Sequence, residues 1–337
     1  MTRTRTIHRA AAAALLALAL TVPPASPAAD AAPTRASGIV FVSDRDSPSS
    51  DQMIDEVYLL DPSTGHTSRL TNNRVAEQFP VLSPDGRYLA YLSATGISVC
   101  RLSYAAGDWT CGPARGVVSD PAPTGGKFAW TPDGRSIVYG GEDPIDGDGD
   151  VFSVGLYSFQ PARNLTQEAP GETPVFDGQP AVSPDGRHIV YGHDGDLYRR
   201  RIDGSHAVRL TSTAGVNEYG AAYSPDGSML AFHSNRRAAN LDIYVMRPRP
   251  ESTGNPAVDL TERLTGPDGT PSRERFPSWS PDGSQIAFWW GDLNDGEIYS
   301  VRADGGAVRN LTANNDSGPS GRPIGDVEPS WGVPRRH

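Results

Sequence analysis

The sequence predicts an all-β protein, a six-bladed β-propeller of four-stranded antiparallel blades. Three observations carry that reading. Gly (36) and Pro (30) make up about a fifth of the 337 residues, where the average for the pair is about 12%. That composition disfavours helical bundles and coiled coils. A four-residue turn, Ser/Thr-Pro-Asp-Gly, recurs five times at spacings of 41 to 56 residues. Short apolar runs between the copies supply four strands per repeat, the periodicity of propeller blades. A collagen is excluded because no Gly-X-Y period runs through the chain. An apolar fraction of 37%, with aromatics at regular intervals, excludes a disordered chain.

The chain opens on Arg3, Arg5 and Arg9, an apolar run from Ala10 to Val22 and a Pro/Ala/Ser stretch. This is the pattern of a secretory signal peptide, and the run is too short to span a bilayer. Residues 1–31 are assigned to it, with cleavage expected at Ala29-Asp30-Ala31 or at Ser26-Pro27-Ala28. No cysteine lies there to take a lipid, and no later stretch has 18 apolar residues in a row. The expected product is exported, secreted or held in the periplasm or cell envelope, with no transmembrane segment. Residues 32–37 then form a short linker, 38–334 the propeller and 335–337 a tail.

The turns are Ser83-Pro84-Asp85-Gly86, Thr131-Pro132-Asp133-Gly134, Ser183-Pro184-Asp185-Gly186, Ser224-Pro225-Asp226-Gly227 and Ser280-Pro281-Asp282-Gly283. Pro fixes φ at the second position, Asp bonds nearby backbone and Gly takes the positive φ. Each turn joins a short first strand to a second such as Leu89-Ala90-Tyr91 or Ile286-Ala287-Phe288. The third strand is marked by Tyr58, Tyr157, Tyr198, Tyr244 or Tyr299, with Val99 in that place in the cysteine-bearing unit. The fourth ends in Leu70-Thr71, Leu165-Thr166, Leu210-Thr211, Leu264-Thr265 or Leu311-Thr312, and in Val117-Val118 in the cysteine-bearing unit.

The first unit begins with a second-type strand, Ile39-Val40-Phe41. The C-terminus supplies the missing first strand, Glu328-Pro329-Ser330-Trp331, before a degraded turn at Trp331-Gly332-Val333-Pro334. The last strand is therefore expected to close the first blade and leave no free sheet edge. Cys100 and Cys111 flank a short polar stretch. In an exported protein such a pair reads as one disulfide across a hairpin.

The Ser-Pro-Asp-Gly turn, the Ile-Ala-Phe-like strand, the Ile-Tyr strand and the Leu-Thr ending resemble the TolB-type (WD40-like PD) propeller repeat over residues 38–334. The resemblance implies a six-bladed propeller. It implies a cell-envelope role in protein association for the family, whose type member carries an α/β domain ahead of the propeller; none fits between the signal segment and Ile39. The same repeat builds the propeller of prolyl-oligopeptidase-like peptidases, where a hydrolase domain accompanies it.

The net charge is −10, and it becomes −12 once three arginines and Asp30 leave with the signal segment. An acidic chain is a poor partner for nucleic acid or anionic membrane. Six residues upstream of each complete turn stand Glu77, Gly125, Asp177, Glu218 and Glu274, with Asp326 in the corresponding place before the degraded one. Five of these six are acidic, and the resemblance places them on the face opposite the turns, around the channel mouth. The loops between second and third strands are acidic too: Asp44, Asp46, Asp51 and Asp55; Glu142, Asp143, Asp146, Asp148 and Asp150; Asp194 and Asp196; Asp292 and Asp295. Arg236 and Arg237 are the exception. Such a ring attracts cations or basic segments, so a basic protein or peptide partner is expected at the mouth. The competing reading is a set of solvated loop residues that favour the turn into an inner strand.

Asp146, Asp148 and Asp150 invite a Ca²⁺ reading, though Val151 and Tyr157 stand where an EF-hand requires Gly and Glu. A solvated hairpin loop is the other reading, and no other cofactor is expected. No Gly-x-Ser-x-Gly elbow occurs. His193 beside Asp194 lies in a loop and could face the channel mouth; a satisfied or exposed loop histidine is the stronger reading. Asn164 and Asn310 match glycosylation acceptors but belong to the blade-ending signature and are read as structural. The leading expectation is a monomeric binding or scaffold module. The alternative is a metal-dependent propeller hydrolase or lactonase with carboxylates at the channel and Asn217 nearby.

Overall fold

The computed structural model describes residues 37–46, 55–73, 75–118, 121–124, 126–145, 147–157, 160–167, 175–237, 241–262, 264, 273–291, 296–313 and 324–335. The expected signal segment lies outside the described residues.

Six antiparallel sheets follow one another along the chain. Their first strands are Gln78–Leu82, Ala129–Trp130, Asp177–Val182, Glu218–Tyr223, Glu274–Trp279 and Asp326–Gly332. The last of these pairs with Gly38–Ser43, Gly332 opposite Gly38 and Asp326 opposite Ser43. The C-terminal strand thus completes the blade that the N-terminal strands begin, here called blade 1, with blades 2 to 6 following in chain order. Most neighbouring first strands contact each other around the ring, so they enclose the central channel.

The Ser/Thr-Pro-Asp-Gly turn is held by its first and third side chains. Ser83 Oγ donates to Asp85 Oδ1 at 2.6 Å and accepts from the backbone N–H of Tyr88 at 3.0 Å. Asp85 Oδ1 also accepts from the N–H of Arg87 at 3.0 Å, and Gly86 takes φ 69°. The same bonds recur at Thr131, Ser183, Ser224 and Ser280. At Asp133 and Asp185 the hydroxyl and the following N–H hold the carboxyl below its ordinary range.

Hydrophobic clusters fill the junctions between blades. Ile39, Phe41, Tyr58 and Leu60 of blade 1 pack with Ala287 and Ile298 of blade 6, with Trp331 against them. Val40, Leu59, Leu70, Leu82 and Leu89 fill the next junction. Alternate side chains of each second strand face opposite neighbours, so both faces are apolar. Each fully buried Leu, Ile or Phe contributes about 1.5–3 kcal/mol.

Three strand-level expectations are corrected. The aromatic that faces Tyr139 in blade 3 is Phe152, while Tyr157 lies beyond the strand and is exposed. The third strand, Gly149–Gly155, begins directly after the aspartate-rich loop and is spent before Tyr157. In blade 2 the residue facing Tyr91 is Ser98, and Val99 faces Ala90. In blade 5 the ending is Leu260-Thr261: Leu260 N–H donates to Ile243 O at 2.8 Å, and Thr261 Oγ1 accepts from Ile243 N–H at 2.9 Å. Leu264 comes after that ending, and Thr265 lies outside the described residues.

Blade 2 carries an extra strand. Its third strand, Gly96–Ala105, runs on into a hairpin with Asp108–Cys111, and the Cys100–Cys111 disulfide clips the hairpin's base. The hairpin leans on blade 1: the N–H of the buried Trp109 donates to Ser68 Oγ at 3.2 Å.

Candidate functional site

The five acidic residues upstream of the turns do not present a solvent-facing ring. Glu77, Asp177, Glu218, Glu274 and Asp326 are each no more than 1% exposed. They begin or immediately precede the first strands, at the junctions between blades. Glu77 accepts from Thr71 Oγ1 of blade 1 at 2.8 Å and from Asn73, and burial pushes its carboxyl up to about 7. Burial likewise raises Asp177 and Glu218.

A shared cage explains three of them. In blade 1, Arg45 Nη2 donates to both oxygens of Asp326 at 2.8 Å. Its guanidinium lies over Phe41 and Tyr58 at 5.2 and 4.9 Å. In blade 5, Arg236 Nε donates to Glu218 Oε1 at 2.6 Å and lies over Phe232 and Tyr244 at 5.7 and 5.5 Å. In blade 4, His193 fills the same place: its Nδ1 bonds Asp177 Oδ1 at 2.6 Å, and its ring stands 4.6 Å from that of Tyr198. The repeat tyrosine is thus one wall of an aromatic seat for the group that binds the junction carboxylate. The cations were legible as Ser43-x-Arg45 and Ser234-x-Arg236 at the ends of two second strands. In each, the Ser Oγ accepts from the N–H of the arginine.

The blade-ending threonine joins this system. Its Oγ1 accepts the first N–H of the third strand, as Thr71 does from Val57 and Thr166 from Val151. It then donates to a carboxylate, Glu77 for Thr71 and Asp150 for Thr166. Asn164 donates to Asp143 and Asp150 and accepts from the N–H of Thr166. Asn310 accepts from the N–H of Thr312 in the same way. Both side chains are held in the blade ending.

Of the three aspartates weighed for calcium, Asp146 lies outside the described residues. Asp148 Oδ2 accepts from the N–H of Val175 at 3.0 Å. Asp150 is fully buried beneath Asn164 and Thr166. Among the described residues no group of three or more His, Cys, Asp or Glu side chains is placed to hold a metal ion.

The channel has its own ring, which the sequence reading missed. Four residues upstream of each turn stand Phe79, Lys127, Gln179, Gly220 and Phe276, with Glu328 at the matching position of blade 1. Phe79, Gln179, Gly220, Phe276 and Glu328 all have φ between 50° and 64°, at bulges in the first strands. Phe79 and Phe276 meet edge to face at 5.4 Å. Lys127 spans the lumen from blade 3 and donates to Pro277 O of blade 6 at 2.6 Å. Glu328 accepts from the N–H of Phe79 at 2.6 Å. A small cavity in the lumen is lined by Phe79, Lys127, Phe276 and Glu328.

This is a closed six-bladed propeller with carboxylates sealed into its blade junctions and a narrow channel of mixed polarity. No protein family profile matches the chain. An uncharacterized protein of Agrobacterium fabrum is 30% identical over 169 residues, covering 47% of this chain and 52% of that protein. The chain therefore spans about half the length of the curated relative it matches. TolB from Acinetobacter baumannii has a TM-score of 0.62 and 19% identity, with 88% of this chain and 67% of that chain covered. A putative TolB from Agrobacterium tumefaciens has 0.57 and 20%, with 86% and 96% covered. An oligogalacturonate lyase in complex with manganese has 0.51 and 18%, with 78% and 72% covered. The fold is that of a TolB-like propeller. Among the described residues no helix is long and apolar enough to cross a membrane.

Proposed function

We propose that the protein is an exported TolB-like propeller that binds a basic segment of a protein partner on the face opposite the Ser-Pro-Asp-Gly turns. The observation that carries this reading is the pair of half-buried carboxylates Asp44 and Asp55, which flank the loop between Gly38–Ser43 and Glu56–Leu60, with Asp44 Oδ1 accepting from Gly325 N–H at 2.9 Å beside the closing strand. Burial raises the carboxyls of both Asp44 and Asp55, and the charge of Asp44 raises Asp55 further. Asp55 in turn adds to the upward shift of Glu328. A lysine or arginine from a partner relieves the repulsion between Asp44 and Asp55. Exposed Asp46, Glu142 and Asp194 on the second-to-third-strand loops extend the negative field. Val75, Ile145 and Phe176, also exposed near the ends of strands, offer apolar contacts beside it. Export rests on the arginine-then-apolar pattern of residues 3–22.

The test is calorimetric titration of the folded protein with a Lys/Arg-rich peptide and with its Glu-substituted counterpart. Binding of the basic peptide alone is expected, with at least about a tenfold loss in the Asp44→Asn/Asp55→Asn protein. Equal affinity in that variant removes the reading. Export is checked by N-terminal sequencing of protein recovered from the envelope or culture fluid. A chain that still begins at Met1 there contradicts it.

A further inference from the structure

Inside the channel the charge is opposite to that of the chain as a whole. Lys127 is the only lysine in the sequence, and it lies across the lumen with Nζ on Pro277 O. His233 reaches the same space from the second strand of blade 5. A Cβ on Gly220 would lie 2.7 Å from His233 Cε1 and Nδ1, so glycine at that ring position is what admits the imidazole. Arg275, one residue before Phe276, lies over the Trp289 ring at 5.3 Å. Lys127 and Arg275 both act electrostatically on His233.

Four polar atoms here are buried without a hydrogen-bond partner: His233 Nδ1, Arg275 Nε, Trp289 Nε1 and Gln179 Oε1. The Gln179 oxygen lies 3.4 Å from the Gly220 Cβ position that His233 also crowds. Its amide presents either O or N to the lumen according to what it meets. His233 is 5% exposed. Buried polar atoms are nearly always paired, so several unpaired ones in one neighbourhood mark a missing partner.

We propose that the channel holds a binding site for a small organic carboxylate, gripped by Lys127, His233 and Arg275. Gln179 and Trp289 supply neutral donors. Phe79 and Phe276 supply an apolar wall: their rings meet at 5.4 Å, and Phe276 stacks on Trp289 at 6.1 Å. That wall favours a carboxylate with an apolar body over a bare inorganic anion.

The electrostatics agree with the geometry. Burial pushes Lys127 down to about 7 and His233 to about 3, and it lowers Arg275. Among the described residues no carboxylate figures in any of the three shifts. The acid of the same ring, Glu328, is itself raised to about 8 by burial, so it is protonated at neutral pH and supplies no counter-charge. A negative charge in the lumen reverses all three basic shifts together. The site is separate from the acidic face, and either reading can fail without the other.

The experiment titrates the full chain with benzoate, acetate and inorganic phosphate, read by calorimetry and by the His233 imidazole NMR signals. Benzoate is expected to bind most tightly and to shift the His233 resonances. Its affinity should fall at least about tenfold in Lys127→Met and in Arg275→Gln. It should be unchanged in Arg201→Gln, an exposed position outside the channel. The NMR arm on the unmodified protein decides the matter even if a channel variant fails to fold. No heat and no His233 shift with any of the three anions at millimolar concentration overturns the proposal. So does equal benzoate affinity in Lys127→Met, or a preference for phosphate over benzoate.

Discussion

At the scale of single residues, the same carboxylate position is solved differently from blade to blade, and the differences set testable costs. Asp326 is fully buried and shares two hydrogen bonds with Arg45, whose side chain is 20% exposed. Asp326→Ala leaves that guanidinium without its partner, and breaking such a pair costs about 3 kcal/mol. Urea unfolding should report that loss, while Asp304→Asn, which breaks the exposed pair with Arg302, should be near neutral. Glu77 makes a different prediction because neutral Thr71 and Asn73 hold it. Its carboxyl is raised from 4.5 to about 7, so the folded state binds its proton more tightly than the unfolded chain. The resulting stabilisation is complete below about pH 4.5 and is lost as pH rises through about 7. Glu77→Gln should flatten that limb of the stability-versus-pH curve. An unchanged limb means that another group titrates there. The acidic character of these positions was legible from spacing alone. Their burial was not, because the partner of each carboxylate stands on another strand or in the preceding blade.

At the scale of the element, the turn and the disulfide-clipped hairpin separate backbone demands from packing demands. Gly134 and Gly86 occupy equivalent turn positions with φ 66° and 69°. A Cβ on Gly134 meets nothing within 4 Å, whereas one on Gly86 would lie 1.9 Å from Val333 O. Gly134→Ala should therefore cost about 1 kcal/mol, the expense of the left-handed conformation alone. Gly86→Ala should cost clearly more, because the C-terminal segment lies directly over it and Arg335 N–H bonds Gly86 O. Thermal unfolding of both proteins compares the two, and equal losses would show that the overlying segment gives way freely. The turns were read correctly because Pro, Asp and Gly act locally; the hydroxyl of the first residue was the part overlooked. Alignment on tyrosine failed at Tyr157 and Val99 for a related reason. A strand's register is fixed by pairing with its neighbour, and a loop shorter by a few residues moves the aromatic position from Tyr157 to Phe152. The hairpin of Cys100 and Cys111 was legible as a loop closed over a sequence separation of 11, which the chain-entropy model values at about 3 kcal/mol.

At the scale of the whole molecule, the ring closes through one strand drawn from the far end of the chain. Asp326–Gly332 pairs with Gly38–Ser43, brings Asp326 to Arg45 and packs Trp331 against the Ile39 and Phe41 cluster. Closure followed from counting strand types along the sequence, since a second-type strand at the start and a first-type strand at the end leave complementary edges. The channel ring was not legible in that way. It depends on bulges, where a single residue in the left-handed region re-aims a side chain, and Phe, Lys, Gln, Gly and Glu share no chemistry that marks the position. The closing strand makes the last prediction. Deleting residues 326–337 exposes the hydrogen-bonding edge of Gly38–Ser43, removes the partner of Arg45 and uncovers the junction between blades 1 and 6. An open, largely apolar edge pairs with other copies, so the truncated chain should run as oligomers in size-exclusion chromatography and melt at lower temperature. Because the strand binds mainly through its backbone ladder, a synthetic peptide of residues 324–337 added in trans should restore the elution of the full chain and raise the melting temperature. A truncated chain that elutes as the full chain does and keeps the original melting temperature would mean that the five complete blades and the N-terminal strands hold together without the final strand.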